Sequence, residues 1–286
     1  MYQLVDGIWQ ELETEQRTES HVYIDGNLLQ DYGIDVEITS QEPINPPIFN
    51  RTLSIPGMPG AWDFGGELEP RMIVLDCVFP HQSYSDLKKQ IREFNKLLFD
   101  EYGKPKEVKL VFGDEMDVFI NARVSAGIDV DRTYKRGLAS VEFVAHDPFK
   151  YSNVFSDEIV WGSEEITFEW DLPFGHEGFP GTLRIQEDST IFISVTGIAI
   201  QPIIEINGQA DNLIIEANGH EIKFDNFKGS DFIIDIEHYS VIKDGKETLR
   251  GVEFREFLLM PGNNEIKVSG RNMDISFFIR HRDKFN

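Results

Sequence analysis

The sequence has a single cysteine, Cys77, and few basic residues. One cysteine excludes an intramolecular disulfide and a zinc site built from four thiolates. Lysine and arginine together number 27 against 50 aspartates and glutamates, so the formal net charge is −23. Such a chain is not expected to grip nucleic acid or an anionic membrane, because both need basic groups that displace counterions.

Long apolar runs are also missing, since no stretch approaches the ~20 residues that a membrane-spanning helix needs. The first six residues, Met1 to Asp6, have neither a basic region nor an apolar core, so we expect no secretory signal. The single cysteine also favours synthesis in a reducing cytoplasm. Cys77 lies in the apolar run Ile73–Phe79, which predicts a strand with a buried, unreactive thiol.

Motifs for catalysis are missing as well. The sequence contains no phosphate-binding loop, no Gly-x-Ser-x-Gly elbow and no His-Glu-x-x-His pair. Asp129 and Asp131 would share one face of an extended segment, and Asp114 and Asp117 flank a turn, but neither pair completes a calcium loop. We therefore expect no enzyme, no catalytic residue, no cofactor and no bound metal.

Apolar material is plentiful, with 41% hydrophobic and 12% aromatic residues, so packed cores are expected. A chain of 286 residues is comfortable for two domains. The sequence Asp147-Pro148-Phe149 marks the boundary, which gives domains at residues 1–150 and 151–286. The acidity is spread over both, with 15 basic and 26 acidic residues in the first and 12 and 24 in the second.

The first half predicts a mixed α+β domain. Leu87, Ile91, Phe94, Leu97 and Leu98 recur at spacings of three and four, which predicts one amphipathic helix over residues 85–101, capped by Ser83 or Ser85. The remaining predicted elements are strands: an alternating strand over 32–38, a strand that enters a turn-rich loop over 51–60, a strand over 71–79, a hairpin over 108–124 and a strand over 138–145.

The second half shows no helical period and predicts an antiparallel β-sandwich, so the fold class is mainly β. Turns are predicted at Asn207-Gly208, Asn218-Gly219, Asp244-Gly245 and Pro261-Gly262-Asn263. Short strands are predicted between them and at their flanks, over residues 182–185, 191–195, 203–206, 212–216, 221–224, 232–236, 257–260, 265–268 and 275–279.

The order of several short motifs resembles the distal tail protein family (Dit) of long, non-contractile-tailed bacteriophages and their prophage relatives. Those motifs are Pro46-Pro47, Arg51, Ile55–Gly60 with Trp62-Asp63, Arg71–Leu75, the helix, Tyr134–Phe143, Asp147–Tyr151 and Leu259–Ile266. The sequence departs from the family in its acidic stretch from Glu11 to Glu19, and it has no insertion long enough for an extra carbohydrate module.

The resemblance implies a structural protein of the virion tail tip, or baseplate hub, rather than an enzyme. It implies a homo-hexameric ring closed by the N-terminal domain and its hairpin, with a galectin-like β-sandwich as the C-terminal domain. The implied partners are the major tail tube protein, the tape-measure protein, the tail-associated lysin and receptor-binding or baseplate parts. DNA would pass through the channel without specific binding, and no membrane contact is implied.

For the ring contacts we expect two turn-rich regions, the loop at 51–66 and the segment at 113–136. The residues predicted for this assembly interface are Arg51, Pro56, Gly57, Gly60, Asp63, Arg132, Lys135 and Arg136.

Two other functions stay open on sequence alone. A carbohydrate-binding β-sandwich could stack a sugar ring of a cell-surface glycan on Trp161 or Trp170, although tryptophans in such a chain more often belong to the core. A hydrolase would need a carboxylate pair converging in one cleft, and no motif points to one.

Overall fold

A computed structural model describes residues 2–5, 8–11, 21–37, 42–132, 135–156 and 181–286. The chain divides into two compact units, Met1–Lys150 and Tyr151–Asn286. Each unit contains its own cluster of buried apolar side chains, so each has the material to be a domain. They are called the first and second domain below.

In its described residues, the first domain contains one α-helix, α1 (Tyr84–Leu98), and a 3₁₀ turn at Leu29–Tyr32. Its strands are β1 (Tyr2–Val5), β2 (Ile8–Glu11), β3 (Val22–Ile24), β4 (Asn27–Leu28), β5 (Asp35–Val36), β6 (Ile48–Leu53), β7 (Trp62–Leu68), β8 (Arg71–Pro80), β9 (Val108–Phe112), β10 (Glu115–Val124), β11 (Asp131–Arg132) and β12 (Arg136–Ala145), and β13 (Lys150–Ser152) spans the boundary.

The main sheet of the first domain has the strand order β4-β3-β9-β10-β12-β8-β5. Its longest ladder joins β12 to β8 in antiparallel register, from Arg136 opposite Pro80 to Ala145 opposite Arg71. Burial alternates along β12, so one face of this ladder belongs to the core. Helix α1 covers that core with Leu87, Phe94 and Leu98, and Phe94 meets Phe79 edge to face at 5.8 Å.

The helix begins where the sequence predicts and ends earlier. Ser83 is its N-cap, and the Ser83 hydroxyl accepts a hydrogen bond from the Asp86 amide at 3.3 Å. The predicted end at residue 101 is wrong, because Phe99 is already extended and forms a bridge with Pro105. Gly103 lies in the turn that follows and does not cap the helix.

The strand predicted over residues 32–38 is shorter than expected. Tyr32 ends the 3₁₀ turn, Gly33 follows with φ of +69°, and only Asp35–Val36 pair with β8. A Cβ at Gly33 would lie 2.8 Å from the side-chain amide nitrogen of Gln90. The same nitrogen donates a hydrogen bond to the Gly33 carbonyl. The glycine therefore lets the chain turn close against α1.

In its described residues, the second domain contains strands and no helix. They are β14 (Leu183–Ile185), β15 (Ser189–Val195), β16 (Ile203–Ala217), β17 (His220–Phe224), β18 (Phe227–Asp235), β19 (Ser240–Lys243), β20 (Lys246–Glu247), β21 (Val252–Glu253), β22 (Gly262–Arg280) and β23 (Lys284–Phe285).

Two long strands organise this domain, and each of them contains two runs that the sequence predicted as separate strands. The runs at 203–206 and 212–216 belong to one strand, β16, and the runs at 265–268 and 275–279 belong to β22. The predicted turn at Asn207-Gly208 is a bulge inside β16, where Gly208 has φ of +137°. A Cβ there would lie 2.2 Å from the Asp274 carbonyl oxygen, so the glycine permits the close approach of β22.

The bulged strands belong to two half-sheets. One half runs β14-β22-β16-β18-β19-β20, and the other pairs β15 with the start of β22 and β17 with the end of β16. Side chains from both halves enter one apolar cluster, in which Phe224 of β17 meets Phe232 of β18 at 5.4 Å. This arrangement has the layering of a β-sandwich.

A buried asparagine shapes the turn before β22. The side-chain oxygen of Asn264 accepts hydrogen bonds from the Met260 backbone amide and the Asn218 side chain, both at 2.7 Å. The side-chain amide of Asn264 donates to the Met260 carbonyl at 2.7 Å.

The strand predicted over residues 257–260 is wrong, because Leu259 makes only an isolated bridge to Ile200. The mainly β class with antiparallel sheets is confirmed. In the described part of the chain, no helix is long and apolar enough to cross a membrane.

Cys77 lies on β8 and is 1% exposed, as predicted. Burial, with a smaller contribution from Asp76, raises the pKa of the Cys77 thiol to about 12. We expect about one thiol in ten thousand to be ionised at pH 8, so a disulfide reagent should label the folded chain very slowly. Unfolding in urea should restore the rate of a free thiol. Rapid labelling of the folded chain would contradict the burial of Cys77.

Candidate assembly surface

Strands β6 and β7 form a hairpin that is a separate two-stranded sheet. Its register runs from Ile48 opposite Leu68 to Leu53 opposite Trp62, with an extra residue on β7 in the middle. All thirteen residues of the two strands are exposed, so none of them contributes to the core of the first domain. We call residues 48–68 the arm.

One face of the arm carries most of its aromatic surface. Leu53 and Trp62 are cross-strand partners and share a face, and Phe64 follows two residues after Trp62 on the same side. Phe49 lies on the same face. Its cross-strand partner Glu67 accepts a hydrogen bond of 2.8 Å from the Arg51 side chain on that face. The exposed fractions are 54% for Phe49, 52% for Leu53, 56% for Trp62 and 65% for Phe64. Contiguous exposed apolar surface of this kind marks an interaction site.

The tip of the arm contains four of the predicted interface residues, Pro56, Gly57, Gly60 and Asp63. Gly57 and Gly60 have φ of +88° and +85°, so they turn the chain in a conformation that other residues rarely adopt. The Asp63 carboxylate accepts a hydrogen bond from the Gly65 amide at 2.9 Å and fixes the start of β7. The tip borders an open depression of about 210 Å³ lined by Ile55, Met58, Pro59, Gly60, Ala61, Trp62 and Asp63.

A buried cluster of charges holds the base of the arm. Arg71, which follows the arm, is 0% exposed and donates a hydrogen bond to the carbonyl of Pro43, which precedes the arm, at 3.2 Å. The Arg71 guanidinium also lies 3.8 Å from the Glu42 carboxylate. Lys150 bridges Glu42, at 2.6 Å, and Glu115. Both ends of the arm are therefore tied to one point of the first domain.

Burial and pairing act in opposite directions on these two cations. Burial lowers the pKa of Arg71 and outweighs the attraction of Glu42 and Glu115. Burial also acts to lower the pKa of Lys150, but hydrogen bonds to Glu115 and Glu42 prevail and raise it. Both side chains stay charged at neutral pH, so two cations face two carboxylates in a partly buried cluster.

The basic part of the predicted interface lies elsewhere. Arg132, on β11, donates a hydrogen bond to the Tyr84 hydroxyl at 2.8 Å, and Lys88 lies 4.5 Å from the Tyr84 ring centre. Although burial acts to raise it, these two cations lower the pKa of Tyr84. Arg136 opens β12 opposite Pro80. The basic side chains therefore gather at the start of α1.

The structure does not bring the two halves of the predicted interface together. The arm joins β8 at Arg71, whereas Arg136 pairs with Pro80 at the other end of the same ten-residue strand. A strand of that length spans about 30 Å. Arg51, Pro56, Gly57, Gly60 and Asp63 thus form one group, and Arg132, Lys135 and Arg136 form another.

One of the two carboxylate pairs singled out in the sequence lies at a separate cavity, and the other pair, Asp114 and Asp117, does not line it. Asp129 and Asp131 line a space of about 410 Å³ together with Glu37 and Asp76. Within the described ranges, no group of three or more His, Cys, Asp or Glu side chains could hold a metal ion. Trp161 and Trp170 lie outside the described residues.

Sequence reasoning missed the apolar face of the arm. It identified a turn-rich loop over residues 51–60 but not the hairpin that this loop closes. Apolar runs on both sides of the turn, Ile48-Phe49 and Trp62 to Phe64, were the available signal. Exposure of those residues has no sequence signature, since the same pattern also occurs in buried hairpins.

Comparisons with known proteins agree with the expected resemblance. Residues 27–145 match the family model described as "Phage tail protein RIFT-related domain". The structure of the Dit protein of phage SPP1 is similar over 93% of this chain and 99% of that chain, with 17% identity and a TM-score of 0.68. Two structures of the phage P2 baseplate in its activated conformation, with Ca and with Sr, give 13% identity and TM-scores of 0.47 and 0.46 over the same shares. No curated protein matches the chain.

We expect Arg71→Ala to lower the free energy of unfolding of the first domain by about 3 kcal/mol, because it removes a fully buried side chain and leaves two carboxylates facing one remaining cation, Lys150. The measurement is the urea concentration at which Cys77 becomes reactive, since Cys77 lies in the core of the first domain. Arg51→Ala is the control, because the exposed pair of Arg51 with Glu67 contributes about 0.5 kcal/mol or less. Equal small shifts for both variants would contradict the role of Arg71.

Proposed function

We propose that this chain, whose first domain matches a phage tail protein domain and whose fold is that of a distal tail protein, is a structural hub of a phage tail tip. The family model over residues 27–145 carries this proposal. The exposed arm supports it, because a surface with eight exposed large hydrophobic side chains needs a partner. The role is one of assembly and needs no catalytic group.

The partner that we propose for the arm is a second copy of the chain, in a hexameric ring. A ring needs two different surfaces on each copy, so that every copy contacts the next one head to tail. The arm and the basic side chains at the start of α1 lie at opposite ends of β8 and are two such surfaces. Their charges are complementary, since the three acidic residues Asp63, Glu67 and Glu69 outnumber Arg51 over residues 48–69.

The remaining partners follow from the tail-tip role. In our proposal the ring joins the tail tube to the tape-measure protein, the tail-associated lysin and the receptor-binding parts. Genome DNA crosses its channel without specific binding. A net charge of −23 supports free passage, because a duplex is repelled by an acidic wall.

The ring predicts that light scattering coupled to size exclusion finds six copies of the 32.9 kDa chain, or a pair of such rings, over a concentration series. The double change Trp62→Ser with Phe64→Ser should give monomers that still unfold cooperatively, because both side chains are exposed in the single chain. Their melting temperature should be lower than that of the ring only by what association adds. Phe192→Ser is the matched control, since Phe192 is 59% exposed in the second domain.

Replacement of residues 48–68 by Asn-Gly should have the same effect as the double change. The Glu69 amide bonds to the Pro47 carbonyl at 2.8 Å, so a two-residue turn can join the ends. If the wild-type chain stayed monomeric at every concentration, both alone and mixed with the tail tube protein, that result would contradict the ring.

Passage without binding predicts that the chain leaves the mobility of a 100 base-pair duplex unchanged in a gel at about 50 mM salt, where non-specific electrostatic binding is strong. A basic protein of similar size is the positive control. A shift that disappears on adding salt would show a basic surface that grips DNA and would contradict free passage.

A further inference from the structure

Two aromatic rings form a platform at the surface of the second domain. Tyr239 and Phe254 are stacked, with ring centres 5.5 Å apart and planes 15° from parallel. The Tyr239 hydroxyl donates a hydrogen bond to the carbonyl of Arg255. Tyr239 is nevertheless 55% exposed, so much of its surface stays open to solvent. The ring is thus held in a fixed orientation without being part of the core.

Tyr239 is also held in an unfavourable backbone conformation. Its φ is +52°, in the left-handed region that bulky residues rarely adopt. Such a conformation is unfavourable for a bulky residue and persists at ligand-binding sites more often than elsewhere. In this conformation the Tyr239 ring stacks on Phe254.

A cavity of about 410 Å³ lies directly beside Phe254. Strand β17 contributes His220, Glu221 and Lys223, and the segment from β21 contributes Glu253, Arg255 and Glu256. The side chains of Arg255, Glu256 and His220 make no hydrogen bond or ion pair within the described part of the chain. Planar donors and acceptors are therefore available for a ligand.

A second cavity of about 380 Å³ continues the first. The two share Lys223 and Glu253, so together they form one trough across β17 and β21. The far part is lined by residues that include Asn212, Asp225, Gly251 and Val252. Phe254 lines the first cavity, and Tyr239 stacks on Phe254 outside the lining of both cavities. We call the trough together with this aromatic pair the β17–β21 groove. Two adjoining cavities have room for more than one linked unit of a ligand.

We infer that the β17–β21 groove binds an uncharged polysaccharide. The apolar C–H face of a pyranose ring packs on an exposed aromatic face, whose electron density attracts polarised C–H groups. The hydroxyls of the sugar suit carboxylates and a guanidinium, which bond in pairs. Four acidic side chains (Glu221, Asp225, Glu253 and Glu256) face two basic ones (Lys223 and Arg255), so the groove repels polyanions.

This site lies within one copy of the second domain, so it goes beyond the proposed ring and does not depend on it. The test is a titration of the full chain with neutral hexasaccharides of glucose and of N-acetylglucosamine, in β-1,4 and α-1,4 linkage, followed by saturation-transfer NMR and calorimetry. Binding of at least one probe is expected. Tyr239→Gly should weaken that binding roughly fivefold or more, because the stacked ring is lost.

The choice of glycine keeps the fold intact, since glycine adopts the φ of +52° without strain. Tyr102→Gly is the matched control, because Tyr102 is 80% exposed in the first domain and should leave binding unchanged. Absence of binding for all probes at millimolar concentration would overturn the inference, and so would equal effects of the two variants. A lysine-rich peptide that binds where the sugars do not would also overturn it, and would assign the groove to a basic protein segment.

Discussion

A buried arginine at the base of the arm is the constraint on which the proposed assembly depends. Arg71 lies in the core of the first domain and bonds to the carbonyl of Pro43, so the chain that leaves for the arm and the chain that returns meet at one side chain. Glu42 and Lys150 add charges of opposite sign at the same place. An arm with no buried residue has no core of its own, and its direction can be set only at its base.

The second domain obtains its rigidity in a different way. Two long strands, β16 and β22, pass through both half-sheets, so each half is covalently continuous with the other over one core. The bulge at Gly208 lets them bend together. This framework fixes β17 and β21, and with them the polar groove, while loops carry the aromatic platform. Binding residues on loops over a rigid scaffold are a common division of labour.

Much of the local structure could be predicted from particular residues. The spacing from Leu87 to Leu98 identified the helix, with Ser83 as one of two candidate caps, and the register of β9 with β10 agrees with the hairpin predicted over residues 108–124. Two of the errors, in β16 and in β22, share one cause. Asn207-Gly208 has the composition of a turn, yet the partner strand β22 keeps it extended, since hydrogen bonds from a distant segment outweigh local preference. The runs at 265–268 and 275–279 were predicted as two strands for the same reason, although pairing with β16 keeps both in one strand, β22.

The sequence by itself determined the mainly β class, the amphipathic helix with its cap narrowed to two serines, the buried thiol and the acidic charge, because each depends on composition or on neighbours within a few residues. Only the tertiary structure decided which apolar residues are exposed. Trp62 and Phe64 alternate on a strand as core residues do, and they face solvent because β6 pairs with β7 and with no other described strand. Tyr239 likewise became a platform only through its stack on Phe254. Exposure depends on which distant strands pair, and that is a property of the whole fold.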